Sequence, residues 1–423
     1  VTERTMRLED AERLLLSLEL FGMRFGLDRM RRLLTALGSP QERFGAVHVV
    51  GTNGKSSTVR MSAAILRRHG LRVGAYLSPH LVTFAERVRV DDADVSGAEF
   101  AAAVQRAAAA AEKVDRRSDP DDRVTQFELL TGAAFDLFAR AGVDVVVVEA
   151  GLGGRFDATN VLSSDVSVLT NVGLEHTRWL GPTVADIATE KLDVLERGTT
   201  LVLGADLHPD ARALAERTAA ERDAALVVAP ADPGAGMEVL ARGSFQRRNF
   251  ALAIEAARAY LATRGRALDD VAVHAAGAST LVPGRFELIA TGPDTVIDGA
   301  HNPGGLVALA EALPEFVGDR RLVACLAVLD DKDATEMLRT LLPLCHAVVT
   351  TRAQSPRALP PATLASLCHQ LGFAGPVEIV GEARAALDRA RTLAGPDGVA
   401  LATGSIYLIA DLLRPVGAAR STL

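Results

Sequence analysis

The chain has 423 residues, 48% of them hydrophobic, and a formal net charge of −7. That suffices for two or three domains with sizeable cores. The acidic balance, with no basic block, argues against nucleic acid as a partner. No apolar run approaches the ~18 residues of a membrane-spanning helix, so no membrane partner is expected. Val1-Thr2-Glu3-Arg4 lacks the pattern of a signal peptide. Cys325, Cys345 and Cys368 have no CxxC spacing, which speaks against a disulfide framework or zinc site. A cytoplasmic enzyme is the expectation.

In chain order, residues 1–45 read as helices through Leu14, Leu15 and Leu18, then, after a break near Gly22–Gly26, through Met30, Leu33, Leu34 and Leu37. The apolar run Val47–Val50 reads as a buried strand. It feeds Gly51-Thr52-Asn53-Gly54-Lys55-Ser56-Ser57-Thr58, which opens a helix running to His69-Gly70. Glycines let backbone N–H groups crowd an anion, and the helix N-terminus points partial positive charge at it. Lys55 is placed for the β/γ-phosphates, and a hydroxyl of Ser56 or Ser57 for Mg²⁺. Gly51 and Gly54 enclose two residues where the strict phosphate-loop pattern has four.

A strand at Val73–Leu77 ends in Ser78-Pro79-His80-Leu81, and Arg87–Val90 alternates like a hairpin strand. Residues 97–117 form an Ala-rich helix, Asp115–Arg123 a charged loop, and Phe127–Ala139 an amphipathic helix. Val143–Glu149 is a β-branched run, the signature of a parallel strand buried on both faces. Glu149 then precedes Ala150-Gly151-Leu152-Gly153-Gly154-Arg155-Phe156-Asp157, and a carboxylate so placed suits Mg²⁺. Val166–Thr170 and Thr200–Leu203 add strands. Asn171–His176 follows the first of these, and His176 reads equally as a metal ligand or a polar loop residue. Lys191, read alone, is a solvated helix lysine. A helix spans 246–262, and Pro283-Gly284 marks a turn. From about 294 a second unit begins, with strands at Thr295–Asp298, Leu322–Leu329, Ala347–Thr351, Val377–Val380 and Val399–Thr403. Strands alternating with helices predict a doubly wound α/β fold, with ligands at the carboxyl ends of the strands. We expect a P-loop-type ATPase domain over 1–290 and a smaller Rossmann-like α/β domain over 291–423.

The chain holds 42 Arg but only four Lys (Lys55, Lys113, Lys191, Lys332), and only five Asn (Asn53, Asn160, Asn171, Asn249, Asn302). Where so biased a chain keeps a lysine, the site can require an amine, which unlike a guanidinium can lose its proton and be modified.

These motifs bring the chain close to a known family. Gly51–Thr58, Ser78–Val82 with Glu86–Val90, Glu149–Asn160, Thr170–His176, Asn249, Pro283–Glu287, Ile297–Pro303, Asp331–Asp333 and Thr403–Tyr407 together resemble the folylpolyglutamate synthase/dihydrofolate synthase branch of the Mur ligase superfamily. The resemblance implies an ATP-dependent ligase that joins L-glutamate to dihydropteroate, to the glutamate tail of a folate, or to both, through an acyl phosphate. It implies ATP contacts at Gly51, Thr52, Asn53, Gly54, Lys55, Ser56, Ser57, Asn249, Arg285 and Asp298. Metal ligands would be Ser57, Ser78, Glu149, His176 and a carbamylated Lys191, holding two Mg²⁺ ions, with a monovalent cation in addition. Substrate contacts would be Pro79, His80, Thr125, Phe127, Arg155, Phe156 and Asp157. Lys55, Lys191 and His301 would be catalytic, in a monomer whose two domains close over ATP. Three departures stand out. The family has Gly where Ser56 stands and Ala-Gly-Ile-Ile-Lys where Leu192–Glu196 stands, and its bifunctional members carry aspartate where Arg24 stands. Two other readings stay open: a Mur-type ligase for a non-folate carboxylate, and a non-catalytic ATP-binding regulator.

Overall fold

A computed structural model describes residues 6–18, 26–119, 122–234 and 236–415. Gly22, Arg24 with its neighbours, and the middle of the 115–123 loop lie outside the described residues. The chain divides into two compact units: 1–238 with 248–280, and 239–247 with 281–423.

The first unit is built on an eight-stranded sheet. Its strands are β1 (Gly45–Val50), β2 (Val73–Tyr76), β3 (Val88–Val90), β4 (Ala93–Asp94), β5 (Val145–Glu149), β6 (Val166–Leu169), β7 (Thr200–Leu203) and β8 (Ala225–Val228). They lie in the order β4-β3-β2-β5-β1-β6-β7-β8. Every pairing from β2 to β8 is parallel, and β3 and β4 add antiparallel at one edge. Central β1 and β5 are buried along almost their whole length, as their β-branched composition requires. Helices Gly97–Asp115 and Gln126–Ala141 start at Ser96 and Thr125, each in a reciprocal capping box with a glutamate three residues on. Their apolar faces join Phe84, Tyr76 and Val148 in a continuous core. The helix after the phosphate loop, Lys55–Arg68, ends close to its expected position.

The second unit carries six strands: β9 (Glu287–Ala290), β10 (Asp294–Ile297), β11 (Leu322–Leu326), β12 (Ala347–Thr350), β13 (Val377–Ile379) and β14 (Val399–Thr403). Their order is β13-β12-β11-β14-β10-β9, parallel except for β9 against β10. The second sheet therefore starts at Glu287 rather than near 294. β4 and β8 were likewise absent from the sequence reading. All three are short edge strands, and half-exposed or exposed positions in them give little alternation to read.

Candidate active site

The phosphate loop connects β1 to helix Lys55–Arg68 through two glycines in positive-φ conformations, Gly51 at 151° and Gly54 at 84°. A β-carbon on Gly51 would collide with the Thr170 hydroxyl, and one on Gly54 with the Asn249 side-chain oxygen. Glycine is therefore demanded twice over, by backbone conformation and by space. The strand end after β6 braces the loop. Asn53 N–H donates to Asn171 Oδ1 (2.8 Å), and the Thr170 hydroxyl donates to Asn53 O (2.7 Å). Thr52 Oγ1 accepts from Gly173 N–H at 3.1 Å. Thr170, Asn171 and Gly173 lie within the Thr170–His176 motif, but the sequence alone assigns them no role. Their signal was their place at a strand's carboxyl end beside the loop.

Lys55 folds over the loop, its Nζ donating to Gly51 O (3.1 Å) and Thr52 O (3.0 Å). Of the two serines, Ser56 donates to Glu149 Oε1 at 3.0 Å, while Ser57 is buried. Glu149 Oε2 accepts from Ser78 N–H at 3.0 Å. The side chain that departs from glycine at position 56 thus ties the phosphate loop to the carboxylate at the end of β5.

Lys191 is not a solvated helix lysine. It is 5% exposed, and its Nζ donates to Gly51 O at 2.8 Å. Burial, reinforced by the Lys55 charge, pushes its pKa down to about 7. A small pocket gathers Gly51, Thr52, Lys55, Gly151, Leu152, Glu175, His176 and Lys191 around this amine. Glu175, missing from the expected site, lies 3.8 Å from His176 Nε2. His176 adopts a left-handed conformation (φ 54°).

The Gly-rich loop after β5 packs on the helix bearing Lys191 (Val184–Leu192). Arg155 N–H donates to Glu190 O at 2.9 Å, and a β-carbon on Gly154 would strike the Glu190 and Lys191 backbone. Arg155 pairs with Glu190 (3.4 Å) and Asp193 (3.1 Å), and Asp193 also takes Arg222 at 2.6 Å. Asp157 is buried, and Leu152 N–H, Thr159 N–H and the Thr159 hydroxyl donate to its carboxylate. Its immediate work is to shape the loop. Phe127 lies against Gly151, and Phe156 is 41% exposed.

The Ser78–Val82 loop is held by Glu86, whose carboxylate accepts from Leu81, Val82 and Thr83 N–H. His80 is buried, accepts from Arg87 Nε at 2.9 Å and lies on Phe84, so it orders this loop from within. Pro79 is exposed. Thr125 is the cap of helix Gln126–Ala141. Asn249 stands against Gly54.

In the second unit, Asp298 follows β10. Burial raises its pKa, and the nearby Arg285 charge opposes this. Its oxygens accept from Phe286 N–H (2.8 Å) and Ala300 N–H (2.7 Å). His301 Nδ1 lies 2.8 Å from Gly299 O, which fixes the ring, and Asn302 caps helix Pro303–Val317.

Residues 284–406 match the model of the Mur ligase glutamate ligase domain. The chain is 34% identical to the dihydrofolate synthase/folylpolyglutamate synthase of Mycobacterium tuberculosis over 93% of its own length and 89% of that protein. It belongs to the folylpolyglutamate synthase/dihydrofolate synthase family. A probable bifunctional folylpolyglutamate synthase/dihydropteroate synthase of Haloferax volcanii is 38% identical over 96% of the chain, which spans only half that longer protein. The fold agrees: the Mycobacterium tuberculosis folylpolyglutamate synthase complexed with ADP superposes with a TM-score of 0.87 at 33% identity, covering 96% of this chain and 97% of that one. Like its relatives, the chain is an ATP-dependent ligase. Among the described residues no helix is long and apolar enough to cross a membrane.

Proposed function

We propose that this ligase joins L-glutamate to dihydropteroate, to the glutamate tail of a reduced folate, or to both. The γ-phosphoryl group of ATP passes to an acceptor carboxylate oxygen, giving an acyl phosphate and ADP. The glutamate amine attacks the acyl carbon, phosphate leaves with the C–O electron pair, and the nitrogen gives up its proton as the amide forms. Such a reaction asks the protein mainly for positioning and charge neutralisation.

The observation that carries this reading is the buried Lys191 amine at Gly51 O, in one pocket with Lys55, Glu175 and His176. Lys55 and the amides of Gly51–Ser57 hold the phosphates. Among the described residues no cluster of three His, Cys, Asp or Glu could hold a metal alone. One strand-end carboxylate, Glu149, with neighbouring hydroxyls is nevertheless the donor set suited to Mg²⁺, which takes most of its ligands from phosphate and water. Mg²⁺ held there would supply positive charge to neutralise the phosphates. Ser57, Ser78, Glu149 and His176 are its proposed ligands. A lysine with its pKa near 7 presents free amine for carbamylation by CO₂, a reaction that releases one proton. The carbamate would give a second metal the anion that the ammonium cannot. Arg285, Asp298 and His301 are assigned to the nucleotide on the resemblance alone, as is a monovalent cation. For the acceptor we assign Pro79, Phe127, Arg155 and Phe156 as contacts, with His80, Thr125 and Asp157 shaping the loops around them.

The test is phosphate release with Mg²⁺-ATP and L-glutamate, comparing dihydropteroate, tetrahydrofolate and no acceptor. Release requiring glutamate together with either pterin compound supports the proposal and identifies the acceptor. Release with neither overturns it in favour of a different carboxylate.

A further inference from the structure

His48 sits at the middle of β1, flanked in register by Val148 of β5 and Ser167 of β6. It is fully buried in a strand otherwise made of Gly, Ala and Val. Its Nε2 lies 2.8 Å from Thr159 Oγ1. The Thr159 hydroxyl donates to Asp157 Oδ1. Both Asp157 oxygens also accept backbone N–H groups, Oδ1 from Thr159 and Oδ2 from Leu152, and Gly151 N–H is a further donor to this carboxylate. With both oxygens accepting, the threonine proton points to the carboxylate and its lone pair to His48. The imidazole is then the Nε2–H tautomer. Its bare Nδ1 finds no partner among the described residues. A buried imidazole with an orphan nitrogen is a disfavoured choice where an aliphatic residue would fill the space. The turn does not need it, because the Thr159 amide and hydroxyl already reach Asp157. What the imidazole adds is direction: it fixes the threonine lone pair, and so the line along which the hydroxyl meets the carboxylate.

The other end of the chain opens on the reaction pocket. Gly151 and Leu152, whose amides Asp157 holds, line that pocket with Lys55, Glu175, His176 and Lys191. We propose that His48 is a positioning residue that acts through Thr159 to fix the Asp157 carboxylate and hence the Gly151–Leu152 wall of the pocket. This rests on the functional reading above.

Two variants test it. His48→Leu removes the donor, while His48→Gln returns an N–H near the place of Nε2. Per folded molecule, His48→Leu is expected to raise the acceptor KM and lower kcat by about fivefold to tenfold in combination, the scale of one net hydrogen bond. ADP affinity stays unchanged, because the phosphate loop has its own braces, and His48→Gln recovers most of the loss. If His48→Leu does not fold, Thr159→Val breaks the same chain with nearly the same shape and carries the same expectation. Wild-type kinetics per folded molecule in His48→Leu, or equal impairment in His48→Gln, would overturn the role while leaving the function intact. An unreactive wild type removes both.

Discussion

Lys191 gathers the consequences of burial into one side chain. An amine with its pKa near 7 inside the fold and near 10.5 in the unfolded chain binds fewer protons folded than unfolded between those values. Stability then rises with pH across that window and is lower below it, where the folded state must bury an ammonium. For metal-free protein in CO₂-depleted buffer, stability measured by urea unfolding should climb from about pH 7 upward. Lys191→Met should flatten that climb, and an unchanged slope would mean the amine is solvated. Lys55 makes a different claim, because its two hydrogen bonds are to loop carbonyls a phosphate-bound lysine can leave. Lys55→Ala should cut glutamate-dependent phosphate release by about 100-fold or more, as loss of a charge-stabilising donor does elsewhere. Near-normal turnover would remove the loop from the chemistry.

The turn after helix Val184–Leu192, one of the three departures from the family pattern, is built around Asp193. Asp193 joins Arg155 of the Gly-rich loop to Arg222 at the end of helix Pro209–Glu221. Three elements converging on one carboxylate stiffen the loop carrying Phe156, although the groups are too exposed for a large energy. A double-mutant cycle of Asp193→Ala with Arg155→Ala should give a coupling of about 0.5 kcal/mol by urea unfolding, in the range of partly exposed pairs. Zero coupling would show that the pair is not held in solution.

For the molecule as a whole, occupancy of the phosphate loop should be visible as stability. A ligand present at about 100 times its Kd adds about 2.7 kcal/mol to the state that binds it. Mg²⁺-ADP should therefore raise the thermal transition of the first unit by several degrees, on the usual scaling for a domain of this size. Lys55→Ala should show much less of this shift, and an equal shift would place the nucleotide elsewhere. The two units differ in how far the sequence disclosed them. A boundary at 290 was expected, whereas the second unit takes in Leu281 onward and the distant segment Val239–Arg247. A segment that leaves its sequence neighbours to join another core carries no local mark of doing so.

By itself the sequence determined the parallel β-branched strands, the glycine turns and the order of motifs along the chain. Each is a short-range property: a strand buried on both faces is built mainly from apolar residues, and a tight loop at positive φ with no room for a β-carbon, as at Gly51 and Gly54, takes glycine. The family followed from the same motifs. Edge strands β4, β8 and β9 escaped because they are short and lack burial on both faces. Only the tertiary structure decided which polar side chains are inside. It put Lys191 against Gly51, His80 beneath its loop, and His48 behind Asp157. For Lys191 and His48 the hydrogen-bond partners, Gly51 and Thr159, lie more than a hundred positions away, and local pattern cannot supply them. The same partners decide whether a lysine is a solvated cation or an amine ready to react.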